Sequence, residues 1–130
     1  MPRREIVQEL MVQEVLTVRE DTMILDAARK MTQNNRGAVV VVNSAGDGVG
    51  IFTERDLLKR VVAQQIDPRT TPVSKVMTKE MVCVGAEDPL QSLPEVMLKG
   101  NFRHLPVVEG QSVVGMLSIR DIVRYLTDFD

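Results

Sequence analysis

The chain alternates short runs of consecutive apolar residues with stretches where apolar residues return every three or four positions, and it does so twice in the same order. Val15-Leu16-Thr17-Val18 reads as a short strand. Ile24, Ala27, Ala28 and Met31 then stand at helical spacing behind Asp21 or Thr22 as a cap, and Asn34-Asn35-Arg36-Gly37 ends that helix. Ala38 to Val42 is an unbroken, largely β-branched run, the mark of a strand covered on both faces. Asn43 to Gly48 is turn chemistry, Val49 to Phe52 returns as a strand, and residues 54–64 read as the next helix. Ahead of these, Ile6, Val7 and Leu10 predict one or two amphipathic turns within residues 4–12. Residues 65–72 read as a linker, because Pro68 and Pro72 oppose continued helix, and Val73 to Met77 as a short helical turn.

The order then recurs. Met11 aligns with Met77, Val18 with Val84, Met31 with Met97 and Val42 with Val108, while Gly50 aligns with Gly115 after a turn one residue shorter. Two long copies are not a solenoid. The expected fold is mixed α/β (α+β): two pseudo-symmetric βαββα repeats packed as one intramolecular pair, with repeat 1 at 8–64, a linker at 65–72 and repeat 2 at 73–127. One conflict is local. Pro94 falls inside the helix expected from Pro89 to Gly100, and Ser92-Leu93-Pro94-Glu95 is itself a capping box, so that helix is expected to start late or to kink.

The repeats share a motif. Gly50-Ile51-Phe52-Thr53-Glu54-Arg55-Asp56 matches Gly115-Met116-Leu117-Ser118-Ile119-Arg120-Asp121: glycine, two apolar residues, hydroxyl, any residue, arginine, aspartate. The hydroxyl falls where a helix N-cap sits, and the aspartate falls in the first turn. A capped helix needs no ligand. Two capped junctions in equivalent places also point free N–H groups and a partial positive charge outward, which suits an anion.

Composition narrows the classes. The chain has 130 residues and a formal net charge of −2, with a pI near 5.5. It therefore has no general pull toward nucleic acid or acidic membrane. Tyr125 and three Phe, with no Trp, make a poor base-stacking platform. The single cysteine, Cys83, fits a reducing compartment and reads as a small buried hydrophobe rather than a nucleophile. No apolar run reaches membrane-spanning length, and the start lacks a secretory signal, so the expected location is the cytoplasm. His104 is the only histidine, with no acid–base partner in view, so neither a metal site nor an enzyme is expected.

The duplicated motif, together with Val76-Met77-Thr78 and Asn101-Phe102-Arg103-His104-Leu105-Pro106-Val107-Val108, resembles tandem cystathionine-β-synthase (CBS) domains over roughly residues 8–127. The resemblance implies a regulatory module that binds adenosine compounds in clefts between its repeats: AMP, ADP, ATP, S-adenosylmethionine or related dinucleotides. It implies ribose contacts from Asp56 and Asp121, ribose or phosphate contacts from Thr53 and Ser118, and a first-strand position held by Thr17 and Cys83. The copies differ where the central strand begins: Arg36 and Gly37 align with Phe102 and Arg103, and Ala38 stands where the second copy has His104. Arg55, Arg103 and Arg120 can pair with phosphate in forked geometry. The implied partners are an adenine nucleotide as regulatory ligand rather than required cofactor, a second copy in a homodimer, and an effector protein in trans. The competing reading is a dimerisation scaffold with degenerate sites.

Overall fold

The computed structural model describes residues 6–100 and 102–127. Asn101, and residues 4 and 5 of the first expected turns, lie outside that range. The described chain divides into two compact units: Leu16–Met81, and residues 6–15 together with the described residues from Val82 onward.

In the unit Leu16–Met81, β1 (Thr17–Arg19) pairs in parallel with β2 (Ala38–Val42) through the crossover helix α1 (Ile24–Gln33). β2 pairs antiparallel with β3 (Gly48–Thr53), giving the order β1-β2-β3. The hairpin between them turns through Gly46 at φ 87°, a conformation that costs a residue without Cβ nothing. Alternation along the strands sends Val18, Val39, Val41 and Phe52 into a core with Ile24, Ala27, Met31, Val61 and Val73. The opposite face carries Thr17, Ala38, Val40, Ile51 and Thr53, as the register requires.

Helix α1 departs from the expected start. Met23 is the N-cap, and no side chain caps it. The orphan N–H groups of the first turn are taken instead by the following loop: Ile24 donates to the Thr71 carbonyl at 3.0 Å and Leu25 to that of Pro68 at 2.9 Å. Backbone carbonyls have displaced Asp21 and Thr22 as the caps, and residues 65–72 are thereby packed onto this unit. The helix after the motif is also irregular. α2 (Glu54–Asp56) runs into a π-helical stretch, Leu57–Val62, and Ala63 donates to the carbonyl of Leu58 across the widened turn. Val73–Lys75 forms a 3-10 turn, as the short helical expectation required.

The other unit repeats the plan. β4 (Val84–Gly85) lies parallel to β5 (His104–Glu109), which pairs antiparallel with β6 (Ser112–Ser118). Val84, Leu105, Val107 and Leu117 form its core with Leu90, Leu93, Met97 and Ile122. Both hairpins carry a register shift at the equivalent place, Val41/Val42 and Val107/Val108. α3 (Leu93–Gly100) starts late, behind a 3-10 turn at Leu90–Ser92, which resolves the Pro94 conflict by placing proline in the first helical turn. The expected Ser92–Glu95 box does not form; the Ser92 hydroxyl donates back to the Pro89 carbonyl at 2.7 Å. α4 (Ile119–Thr127) follows the second motif, and a 3-10 turn at Val7–Glu9 stands at the start of the described chain.

The outer edge of each hairpin is closed by a lead-in segment from the other repeat. Thr78 and Ile51 exchange two backbone hydrogen bonds, each 2.9 Å, and Val12 and Met116 exchange two at 3.0 Å. Here the motif glycines are needed for close approach. A Cβ on Gly50 would lie 2.6 Å from Met77 Sδ and 2.9 Å from the Thr78 carbonyl oxygen; on Gly115 it would lie 2.3 Å from Met11 Sδ.

Candidate functional site

Each motif sits where a strand ends and a helix begins. Thr53 is the N-cap of α2, and its hydroxyl accepts from the Asp56 N–H at 3.2 Å. Asp56 Oδ2 reciprocates, accepting from the Thr53 N–H at 3.0 Å and from its hydroxyl at 3.2 Å. The second motif does the same: Asp121 Oδ2 accepts from the Ser118 N–H at 2.8 Å and hydroxyl at 3.1 Å, and the Asp121 N–H donates back to Ser118 Oγ at 3.4 Å. Both capping boxes read from the sequence are therefore present, with Asp in the role usually given to Glu.

The two aspartates then diverge. Asp56 is buried, at 7% exposure. Its second oxygen, Oδ1, accepts from the Thr78 hydroxyl at 3.1 Å and pairs with Arg60 Nε at 3.5 Å. A carboxylate offers about four lone-pair positions, and Asp56 has a partner for each. Asp121 is half-buried, and among the described residues its Oδ1 takes no partner. The positions aligned with Thr78 and Arg60 are Val12 and Tyr125. Valine has no hydroxyl to give, and Tyr125 carries no cation. Thr78 and Arg60 are the residues that the motif reading missed. Arg60 had a signal, four positions after Asp56 on a helix; Thr78 had one only in its contrast with Val12.

The remaining candidates fall into place around these junctions. Ala38 pairs with Thr53, and His104 with Ser118, so the half-buried His104 stands beside the motif hydroxyl on one sheet face. Thr17, paired with Val40, lies on that same face of its sheet by strand alternation, while Cys83 immediately precedes β4 and is outside the paired residues. Gly37 and Arg103 act first through their carbonyls, which accept the N–H of Glu54 at 3.0 Å and of Ile119 at 2.9 Å and so tie central strand to helix start. The Arg103 side chain is exposed, as is that of Arg120, while Arg36 and Arg55 are half-buried. Among the described residues the Arg36, Arg103 and Arg120 guanidinium groups make no ion pair, so the structure does not draw them onto the motif carboxylates. Cys83 is half-buried, not the fully buried hydrophobe expected, and this partial burial pushes its thiol pKa up. No cluster of three metal-ligating side chains occurs among the described residues, and no helix among them is long and apolar enough to cross a membrane.

The chemistry on offer is that of recognition. Among the described residues, a carboxylate oxygen that takes no partner belongs to a capping box at a helix start, beside a motif hydroxyl whose cross-strand neighbour is an imidazole. Comparison with known proteins gives the same frame. The family model described as CBS domain matches residues 7–63 and again 73–128. A CBS domain-containing protein of Arabidopsis thaliana is 37% identical over 122 residues; the match covers 94% of this chain and 22% of that protein, so the chain spans under a quarter of that relative's length. A CBS-domain containing protein of Agrobacterium tumefaciens superposes with a TM-score of 0.88 at 37% identity, covering 95% of both chains. The CBS domain pair of protein MJ0100, solved in complex with 5′-methylthioadenosine and S-adenosyl-L-methionine, superposes at 0.86 with 25% identity, covering 96% of this chain and 97% of that one.

Proposed function

Since the chain belongs to the CBS-domain family, we propose that it is a regulatory module that binds an adenosine-containing ligand, of the AMP, ADP or ATP class, and passes the binding event to a protein partner. The observation that carries this reading is the open Oδ1 of Asp121, beside Ser118 and opposite His104. Two open acceptor positions match the two vicinal hydroxyls of a ribose. The exposed Arg103 and Arg120, and the start of α4, supply cations and N–H groups for a 5′-phosphate. A relative of the same fold, solved with two adenosine compounds, supports the ligand class.

The first repeat favours the scaffold reading instead. With Thr78 and Arg60 on its aspartate, its motif is occupied by the protein itself. The module is therefore read as binding one ligand per chain, at the second motif. Calorimetry with AMP and adenosine tests this. One site per chain is expected. AMP should bind at least about tenfold more tightly, since one charge-assisted bond contributes about 1.5–3 kcal/mol. Asp121→Ala should abolish binding, Arg103→Ala should remove most of the preference for AMP, and Asp56→Ala should leave the affinity unchanged. Equal affinities for the two ligands would defeat the phosphate assignment; full binding by Asp121→Ala would defeat the site.

A further inference from the structure

The first unit also carries a groove away from the motif hydroxyl. Its volume is ≈ 440 Å³, and Lys59, Arg60, Gln64, Ile66, Thr71, Lys75 and Val76 line it. Lys59 and Lys75 line one concavity together with Arg60, which is paired with Asp56, in a chain whose net charge is −2, and no carboxylate is among the lining residues. Among the described residues, neither Lys59 nor Lys75 has an acidic partner. The backbone carbonyls that would repel an anion here, those of Val76 and Met77, are already covered by Arg60 Nη1 at 3.4 and 3.1 Å. Gln64 and Thr71 add neutral donors, while Ile66 and Val76 give an apolar wall. The volume lies within the range of about 300–1,000 Å³ usual for small-molecule pockets.

We propose that this groove is an anion site for a diphosphate group. Lysines bind phosphate as point charges, and two of them with no carboxylate to neutralise them are suited to a group carrying more than one negative charge. Arg60 links the groove to the first motif, because its Nε faces Asp56 while its Nη1 braces the groove wall. The site does not rest on the adenosine reading, and inorganic pyrophosphate, which has no ribose, tests it alone. Titration followed by NMR at low salt should give saturable binding of one pyrophosphate per chain, with shifts at Lys59, Gln64, Thr71 and Lys75. Added salt should weaken it. Lys59→Ala/Lys75→Ala should weaken it at least tenfold; both side chains are exposed, so the variant should keep the wild-type unfolding curve. Asp121→Ala should bind pyrophosphate as wild type does, which separates this site from the second motif. No saturable binding, or equal binding by the double variant, overturns the proposal. ADP binding to Asp121→Ala with the same dependence on the two lysines would place the diphosphate on a nucleotide; pyrophosphate binding without ADP binding would place it on an inorganic anion. Either result supports the site.

Discussion

Two aspartates with the same local sequence context have different surroundings, and the difference lies in what reaches their outer oxygen. Asp56→Ala leaves the Thr53 N–H and the Thr78 hydroxyl without their acceptor, in a buried setting. The expected cost is about 1–3 kcal/mol, measured by denaturant unfolding. Asp121→Ala loses the cap alone, about 1 kcal/mol. Thr78→Val should cost about 1 kcal/mol and leave Arg60 as the remaining partner of Asp56 Oδ1; a wild-type midpoint for that variant would show that the Thr78 hydroxyl contributes nothing. Cys83 adds a pH dependence. Its folded pKa lies above its unfolded value, so its contribution is complete at lower pH and declines as pH rises through the alkaline range, above the ordinary thiol pKa of about 8.5. Unfolding curves of wild type and Cys83→Ala should therefore diverge between neutral pH and pH 9–10, with wild type losing more. The capping boxes were legible in the sequence because they are local. The Thr78 contact was not, because it joins residues on separate elements that only the fold brings together.

At the scale of elements, strands and hairpins were legible wherever β-branched runs met turn residues, as in Ala38–Val42 and the Asn43–Gly48 turn. The π-helical stretch Leu57–Val62 left no trace in the pattern, since an apolar stripe of that length fits either winding. The start of α1 was missed for a different reason: Asp21 and Thr22 are good caps by type, but carbonyls from the 65–72 loop arrive first. The two lead-in bridges are also silent in sequence, each joining a single residue pair. They give the motif glycines unequal sensitivity. Gly50→Ala meets the Thr78 backbone oxygen as well as Met77 Sδ, whereas Gly115→Ala meets side-chain atoms alone, Met11 Sδ, Cγ and Cβ. The first should cost about 1–3 kcal/mol, and the second less, read from unfolding midpoints of both variants. The reverse order would mean that Met77 and Thr78 yield more readily than Met11.

At the scale of the whole molecule, each motif helix keeps an apolar face in solvent: Leu58 and Val62 after the first motif, and Ile119, Val123 and Leu126 after the second. The neighbouring apolar residues are not part of this face: Val61 and Ile122 are core residues and Leu57 packs against the core. Apolar residues exposed along a helix face favour association, so a homodimer is the expected outcome. Light scattering at tens of micromolar should give twice the chain mass, falling to one chain mass for Leu58→Glu/Val123→Glu; a wild-type monomer would remove the dimer. The crossed lead-ins bear on how such a chain could have arisen. A lone repeat, 8–64 for instance, leaves the outer edge of its hairpin and the notch at its glycine bare, because the residues that fill them lie past 64. A second copy of the repeat carries an equivalent lead-in, as Met11-Val12 and Met77-Thr78 do here. Fusion of two such repeats would have joined chains that already needed one another, and a fragment cut at 16 and 81 should be a better-behaved piece of this protein than one cut at the boundary of its repeat.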